Sequence, residues 1–156
     1  MKMALLFRVY NVYCTLFNKD GSLWMLDLAS MTWTCSPQSG EIPPSRAYHC
    51  SVVIFKYMYI FGGRAGSKYF NDVYRLYLDT MTWEKLSCTG TIPSPRSSCT
   101  ANQNLNKIIL FGGMDGTRCY NETYVFDTLT LKWSTTNVNN SINPLPRIHI
   151  YIYIHF

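Results

Sequence analysis

Residues 46–95 recur, with substitutions, in the fifty residues that follow them and in part of what precedes them, and few architectures are open to a chain built by repetition. Phe61-Gly62-Gly63 returns as Phe111-Gly112-Gly113, Asn71 as Asn121, Tyr74 as Tyr124 and Trp83 as Trp133. One step back, Met31-Thr32-Trp33 matches Met81-Thr82-Trp83 letter for letter. Within each unit two apolar runs, such as Cys50 to Phe55 and Tyr57 to Phe61, lead to the glycine pair. A polar loop follows, then a third run (Val73 to Leu78) and the segment around Trp83. Each unit therefore predicts four short strands, and a self-similar period near fifty with four strands per unit points to the blades of a propeller.

The strand runs support blades over a one-sided sheet. Cys50-Ser51-Val52-Val53-Ile54-Phe55 and Lys107-Ile108-Ile109-Leu110-Phe111 are nearly continuous in apolar character, whereas a sheet with one wet face alternates. The units are joined by Ser39-Gly40-Glu41-Ile42-Pro43-Pro44-Ser45-Arg46 and Thr89-Gly90-Thr91-Ile92-Pro93-Ser94-Pro95-Arg96, with a weaker echo ending at Arg147. Proline supplies no N–H to a ladder, so these are connections. Their arginines are expected to bond carbonyls at the blade junctions. The glycine pairs can end a strand in dihedrals closed to other residues and let a ring lie on the backbone, for which Tyr74, Trp83, Tyr124 and Trp133 are the expected rings.

With Phe-Gly-Gly, then Asn71-Asp72-Val73-Tyr74 or Asn121-Glu122-Thr123-Tyr124, then Trp83 or Trp133, the chain resembles the kelch repeat family over about residues 23–147. The Pro-x-Arg connection resembles the kelch subgroup whose blades begin at such a turn. The resemblance implies an all-β, kelch-type β-propeller with blades of four antiparallel strands, the first innermost, in a ring of six or seven. This chain accounts for an incomplete ring of two full blades and two partial ones, and reads as a piece of a larger propeller. The expected divisions are an uncertain N-terminal segment or degenerate half-blade at 1–22, a partial blade and connection at 23–45, blades at 46–95 and 96–146, and a truncated or divergent start of a further blade at 147–156. Extending the period backward sets Asn11-Val12-Tyr13 where Phe-Gly-Gly belongs. The tail from Ile148 to Phe156 alternates Ile with rings where other units carry small residues, and with the open blade edges it predicts self-association.

Chemistry is scarce. The six cysteines form no C-x-x-C pair and no Cys/His ligand spacing, so no metal and no cofactor is expected and the thiols read as reduced. Asp27 and Asp127, each six residues before a tryptophan, read as turn-stabilising residues. No sialidase box, Gly-x-Ser-x-Gly elbow, P-loop or dinucleotide fingerprint occurs, and no catalytic residue is expected. The net charge of +5 is scattered, which argues against nucleic acid, and every apolar run falls short of the roughly 18 residues of a membrane helix. No membrane partner and a cytoplasmic address follow as expectations. Asn121-Glu122-Thr123 and Asn139-Asn140-Ser141 are glycosylation sequons, but Asn121 repeats Asn71 and reads as a strand-entry residue.

The loops after the glycine pairs, 64–70 and 114–120, agree only at Gly66 and Gly116, while the strands beside them repeat closely. Arg64, Lys68 and Tyr69 in the first, with Asp115, Arg118 and Tyr120 in the second, are therefore the candidate partner-binding residues. The function expected is a non-catalytic protein–protein interaction module. Two alternatives stand beside it: part of a propeller enzyme completed by other blades, and the substrate-receptor part of a ubiquitin ligase. Relatives of the last kind carry BTB and BACK segments, which this sequence lacks.

Overall fold

The computed structural model describes residues 7–9, 12–17, 21–27 and 29–136. Among them are sixteen strands and no helix. Strands β1 (Phe7–Val9), β2 (Val12–Phe17), β3 (Leu23–Asp27) and β4 (Thr32–Ser36) form one antiparallel sheet in that order. After β5 (Ser39–Gly40) come β6 (Cys50–Ile54), β7 (Tyr57–Phe61), the small hairpin β8 (Arg64–Ala65) and β9 (Lys68–Tyr69), then β10 (Val73–Tyr77) and β11 (Thr82–Leu86). β12 (Thr89–Gly90), β13 (Thr100–Asn104), β14 (Lys107–Phe111), β15 (Thr123–Asp127) and β16 (Lys132–Thr135) repeat the pattern. The second and third sheets run β6-β7-β10-β11 and β13-β14-β15-β16, and the connections add β5 and β12 parallel to the outer strands β11 and β16.

Both faces of the middle blade are covered, which is why its strands read as continuous apolar runs. Met58, Ile60, Tyr74, Leu76 and Trp83 point one way and meet Leu23 of the first blade. Cys50, Val52, Ile54, Tyr59, Phe61, Val73 and Leu86 point the other way and meet Cys99, Ile108, Leu110, Tyr124, Phe126 and Trp133 of the third. Alternation along each strand thus feeds two junctions. The equivalent Trp33 is 41% exposed, because among the described residues no blade lies against its face. Cys50 and Cys99 are buried small hydrophobes, and the described cysteines Cys35, Cys50, Cys88, Cys99 and Cys119 are unbridged.

Gly62 and Gly63 serve the next blade's backbone in place of the expected rings of Tyr74 and Trp83, and at Gly113 the neighbours are the Cys99 Sγ and the Ser97 carbonyl of its own blade in place of the expected Tyr124 and Trp133. Gly63 N–H donates to the Arg96 carbonyl at 2.9 Å, and Arg96 N–H donates to Phe70 at 3.0 Å. A Cβ on Gly62 would lie 2.5 Å from that Arg96 carbonyl, and φ at Gly62 and Gly63 is 66° and 92°. Close backbone approach and left-handed dihedrals therefore demand the pair together.

β1 and β2, within residues 1–22, pair with β3 and β4 of 23–45 in one four-stranded sheet. Val12 opens β2, so Asn11-Val12-Tyr13 is not the end of the second strand. Residues 18–22 stand between β2 and β3 where 62–72 stand between β7 and β10, and this shorter connection throws a fifty-residue extension out of register. A bulge between Cys14 and Phe17 adds to the shift. The expectations for 147–156 and for the second sequon at Asn139 fall outside the described residues.

Candidate functional site

At one end of the blades, the connections, glycine pairs and loops converge on two buried arginines. Arg46 donates through Nε to the Pro44 carbonyl at 3.1 Å, through Nη1 to the Gly62 carbonyl at 3.1 Å, and through both terminal nitrogens to the Asp72 carboxylate. Arg96 repeats this with the Ser94 carbonyl, the Gly112 carbonyl and Glu122 at 3.1, 3.1 and 3.0 Å. Each guanidinium stacks on the ring that closes its loop: Arg46 lies 4.1 Å from the Phe70 ring centre, Arg96 3.8 Å from that of Tyr120. Both arginines are almost fully buried, so their role is to hold the loop base, with planar forks matched to carbonyls.

The loops raised on these bases differ. In the middle blade, β8 and β9 form a hairpin that leaves Arg64 and Lys68 exposed and Tyr69 half-buried. The Arg64 guanidinium sits 5.1 Å over the ring of Tyr48, which is itself 39% exposed and has φ 59°. Tyr69 reaches across to the third blade: a Cβ on Gly116 would come within 2.7 Å of its hydroxyl. The two loops therefore meet, with Arg64, Lys68, Tyr69 and Tyr48 on one side of the seam.

On the other side, Asp115 organises its own loop. Its Oδ1 accepts from the Thr117 amide at 3.0 Å, the Thr117 hydroxyl at 2.7 Å and the Arg118 amide at 3.0 Å; its Oδ2 accepts from the Tyr120 hydroxyl at 2.6 Å and Arg118 Nε at 3.3 Å. The Tyr120 bond, then the Thr117 hydroxyl and the two amides, hold this carboxyl well below the usual carboxylate range. Tyr120 is 5% exposed, pinned between Asp115 and Arg96, and so is not the outward anchor that its place in a variable loop implies. Arg118 stays exposed, but its charge is engaged by Asp115 and by the Tyr120 hydroxyl.

Sequence reasoning missed Tyr48, whose repeat equivalent is Ser98, and the acids that pair with the arginines. Asp72 and Glu122 stand at the same offset from Arg46 and Arg96, a signal open to inspection but hidden by the change of residue type. Asp27 and Asp127 accept the amides of Ala29 and Ser30, and of Leu129 and Thr130, which makes them turn residues. Asn71 donates to the Pro93 carbonyl at 3.3 Å, tying its loop to the next connection. Among the described residues, no three side chains of His, Cys, Asp or Glu come together as a metal set, and no helix is long and apolar enough to cross a membrane.

The chain matches, over residues 15–155, the family described as the KLHDC2/KLHL20/DRC7 Kelch-repeats domain. It is similar to the host cell factor of Drosophila melanogaster, 49% identical over 43 residues that make up 28% of this chain and 3% of that protein. It is also similar to the Rab9 effector protein with kelch motifs of Xenopus laevis, 36% identical over 55 residues, 35% of this chain and 15% of that one. The solved structure of YjhT superposes with a TM-score of 0.70 over 90% of this chain and 52% of its own, at 17% identity, a likeness of fold. The chain thus spans about half of YjhT and a small part of each curated relative's length.

Proposed function

Because the chain belongs to the kelch-repeat family, we propose that it is a non-catalytic protein–protein interaction module that captures its partner at the loop end of the blades. The observation that carries this reading is the seam where Tyr69 lies on Gly116, which joins a variable loop of one blade to that of the next. On this surface Arg64 and Lys68 are exposed cations beside aromatic rings, Tyr48 and Phe70, and Arg and Tyr are the anchors that interfaces favour. Arg118, tied to Asp115 and the Tyr120 hydroxyl within its own loop, is less free to turn toward a partner than its exposure implies. A partner that presents acidic side chains near an apolar or aromatic anchor fits this chemistry. The reading carries a cytoplasmic address with it, in line with the cysteine spacing.

The test is a proximity-labelling and pull-down comparison of the parent with Arg64→Ala/Tyr69→Ala. The double variant loses specific partners while it still unfolds cooperatively with a loss of about 1 kcal/mol, since Arg64 is exposed and Tyr69 only half-buried. Retention of every partner by the double variant overturns the assignment of this surface. Arg118→Ala is the matched control and leaves capture almost unchanged.

A further inference from the structure

The opposite end of the blades carries the hairpin tips, and its chemistry is different. Phe55, in the β6–β7 turn, is 84% exposed; Leu105, at the same place in the β13–β14 turn, is 80% exposed; Leu129, in the β15–β16 turn, is 79% exposed. Phe55 and Leu105 have φ of 53° and 54°, a region where Gly, Asn or Asp is the ordinary occupant of a hairpin. Met81 and Leu131 share this left-handed conformation in the outer turns, but both pack against a blade junction and so have a structural reason for their size. Met31, their equivalent in the first blade, is 70% exposed on a face that no blade covers among the described residues. Phe55 and Leu105 have no such reason, being large, apolar, strained and almost wholly in water.

A lysine follows each of these three tips within three residues: Lys56 directly after Phe55, Lys107 two after Leu105 and Lys132 three after Leu129. The carboxylates at this end face two of these lysines in open water, Asp79 beside Lys56 and Asp127 beside Lys107. Asp127 accepts two backbone amides, and Asp79 lies 3.6 Å from Lys56 in an exposed pair that salt screens readily. The apolar side chains sit on separate turns, so they form protruding points and not a groove, and a peptide helix has nothing to lie in. A bilayer needs no groove, because its interior accepts any apolar side chain while neighbouring lysines remain among the headgroups. We propose that Phe55, Leu105 and Leu129 are membrane-inserting tips and that Lys56, Lys107 and Lys132 hold them against an anionic lipid surface, as a peripheral contact. This surface is separate from the loop end and stands whether or not that assignment holds.

The experiment is co-sedimentation of the full chain with phosphatidylcholine vesicles, with and without phosphatidylserine. The parent binds the phosphatidylserine vesicles, binds the neutral ones less, and loses affinity as salt is raised. Phe55→Asn/Leu105→Asn/Leu129→Ser lowers that affinity by about tenfold or more, since the buried apolar side chains supply most of an interfacial contact. Asn suits the left-handed turn, so the variant folds, as circular dichroism and an unchanged urea midpoint verify. Absence of parent binding overturns the proposal. So does vesicle binding that the tip substitutions leave intact, which would trace it to another segment such as the Ile- and Tyr-rich residues 148–156. Loss of self-association or of a cross-linked protein in the variant, with a parent that ignores vesicles, overturns it in favour of protein docking.

Discussion

Arg96→Lys and Arg96→Ala test what the buried arginines do. Arg96 is 1% exposed and makes four kinds of contact: the carbonyls of Ser94 and Gly112, the hydroxyl of Ser94, the Glu122 carboxylate and the Tyr120 ring. Truncation to Ala strands two carbonyls, each costing about 1–3 kcal/mol, and removes a stacking contact of about 0.5–2 kcal/mol. These terms span about 2.5–8 kcal/mol, and the lower half, about 3–5 kcal/mol, is the range of broken buried pairs. Lysine keeps the charge and one donor but not the fork or the stack, so about 2 kcal/mol is lost. Glu122 is 47% exposed, and Glu122→Gln removes only a screened attraction, costing about 1 kcal/mol or less. Urea titration followed by tryptophan fluorescence reads these directly: with a slope of about 1–3 kcal/mol per molar, Arg96→Ala lowers the midpoint by about 1 M or more. If Glu122→Gln costs as much as Arg96→Lys, the arginine acts as half of an ion pair and not as a carbonyl fork. The assignment of the loop base would then be wrong.

Three further outcomes are expected. Trp83→Ala costs about 3–5 kcal/mol through the cavity left in its junction, whereas Trp33→Ala, at the equivalent but 41% exposed position, costs about 1 kcal/mol; equal losses in urea titrations would refute the unequal covering of the blades. Burial, and then the nearby Arg46 charge, push the His49 imidazole from its ordinary 6.5 down to about 4. Between these values the unfolded chain binds a proton that the native chain refuses, so stability falls as the pH drops from about 7 to 4 and His49→Gln flattens that fall; as the residue keeps some exposure, the full effect is about 2 kcal/mol. Gly62→Ala costs several times more than Gly66→Ala in the same titration, since a Cβ at Gly62 meets the Arg96 carbonyl at 2.5 Å and one at Gly66 meets nothing within 4 Å; equal costs would show that the junction yields.

The blades were legible because repetition aligns positions that share a physical task. Trp83 and Trp133 recur since each fills a junction, and the continuous run from Cys50 to Phe55 announces two covered faces. What repetition hides is the partner of a repeated residue. Arg46 and Arg96 stood out, but Asp72 and Glu122 differ in type, and Phe70 and Tyr120 close loops that look variable. For that reason Tyr120 reads as an outward anchor when the Arg96 stack makes it part of the scaffold. Residues 1–22 read only as an uncertain segment or degenerate half-blade, because a fixed period cannot follow the shorter connection at 18–22. The strained tips at Phe55 and Leu105 were invisible for a simpler reason: the sign of φ is not written in a phenylalanine or a leucine.

The short parallel strands β5 and β12 carry a consequence for how such a chain comes apart. Ser39–Gly40 leaves the first blade and lies along the outer edge of the second, with Gly40 so close to the Trp83 carbonyl that a Cβ would sit 2.2 Å from it. The same connection then runs to the inner edge, where Ala47 and Arg64 exchange bonds of 2.9 and 2.8 Å. One stretch of chain thus laces both margins of the blade that follows it. Under tension along the chain, this lacing is loaded before the strands it borders. Fraying at an outer margin must first peel away a segment anchored in the neighbour, so rupture passes from blade to blade in steps and does not open a lone sheet edge to solvent.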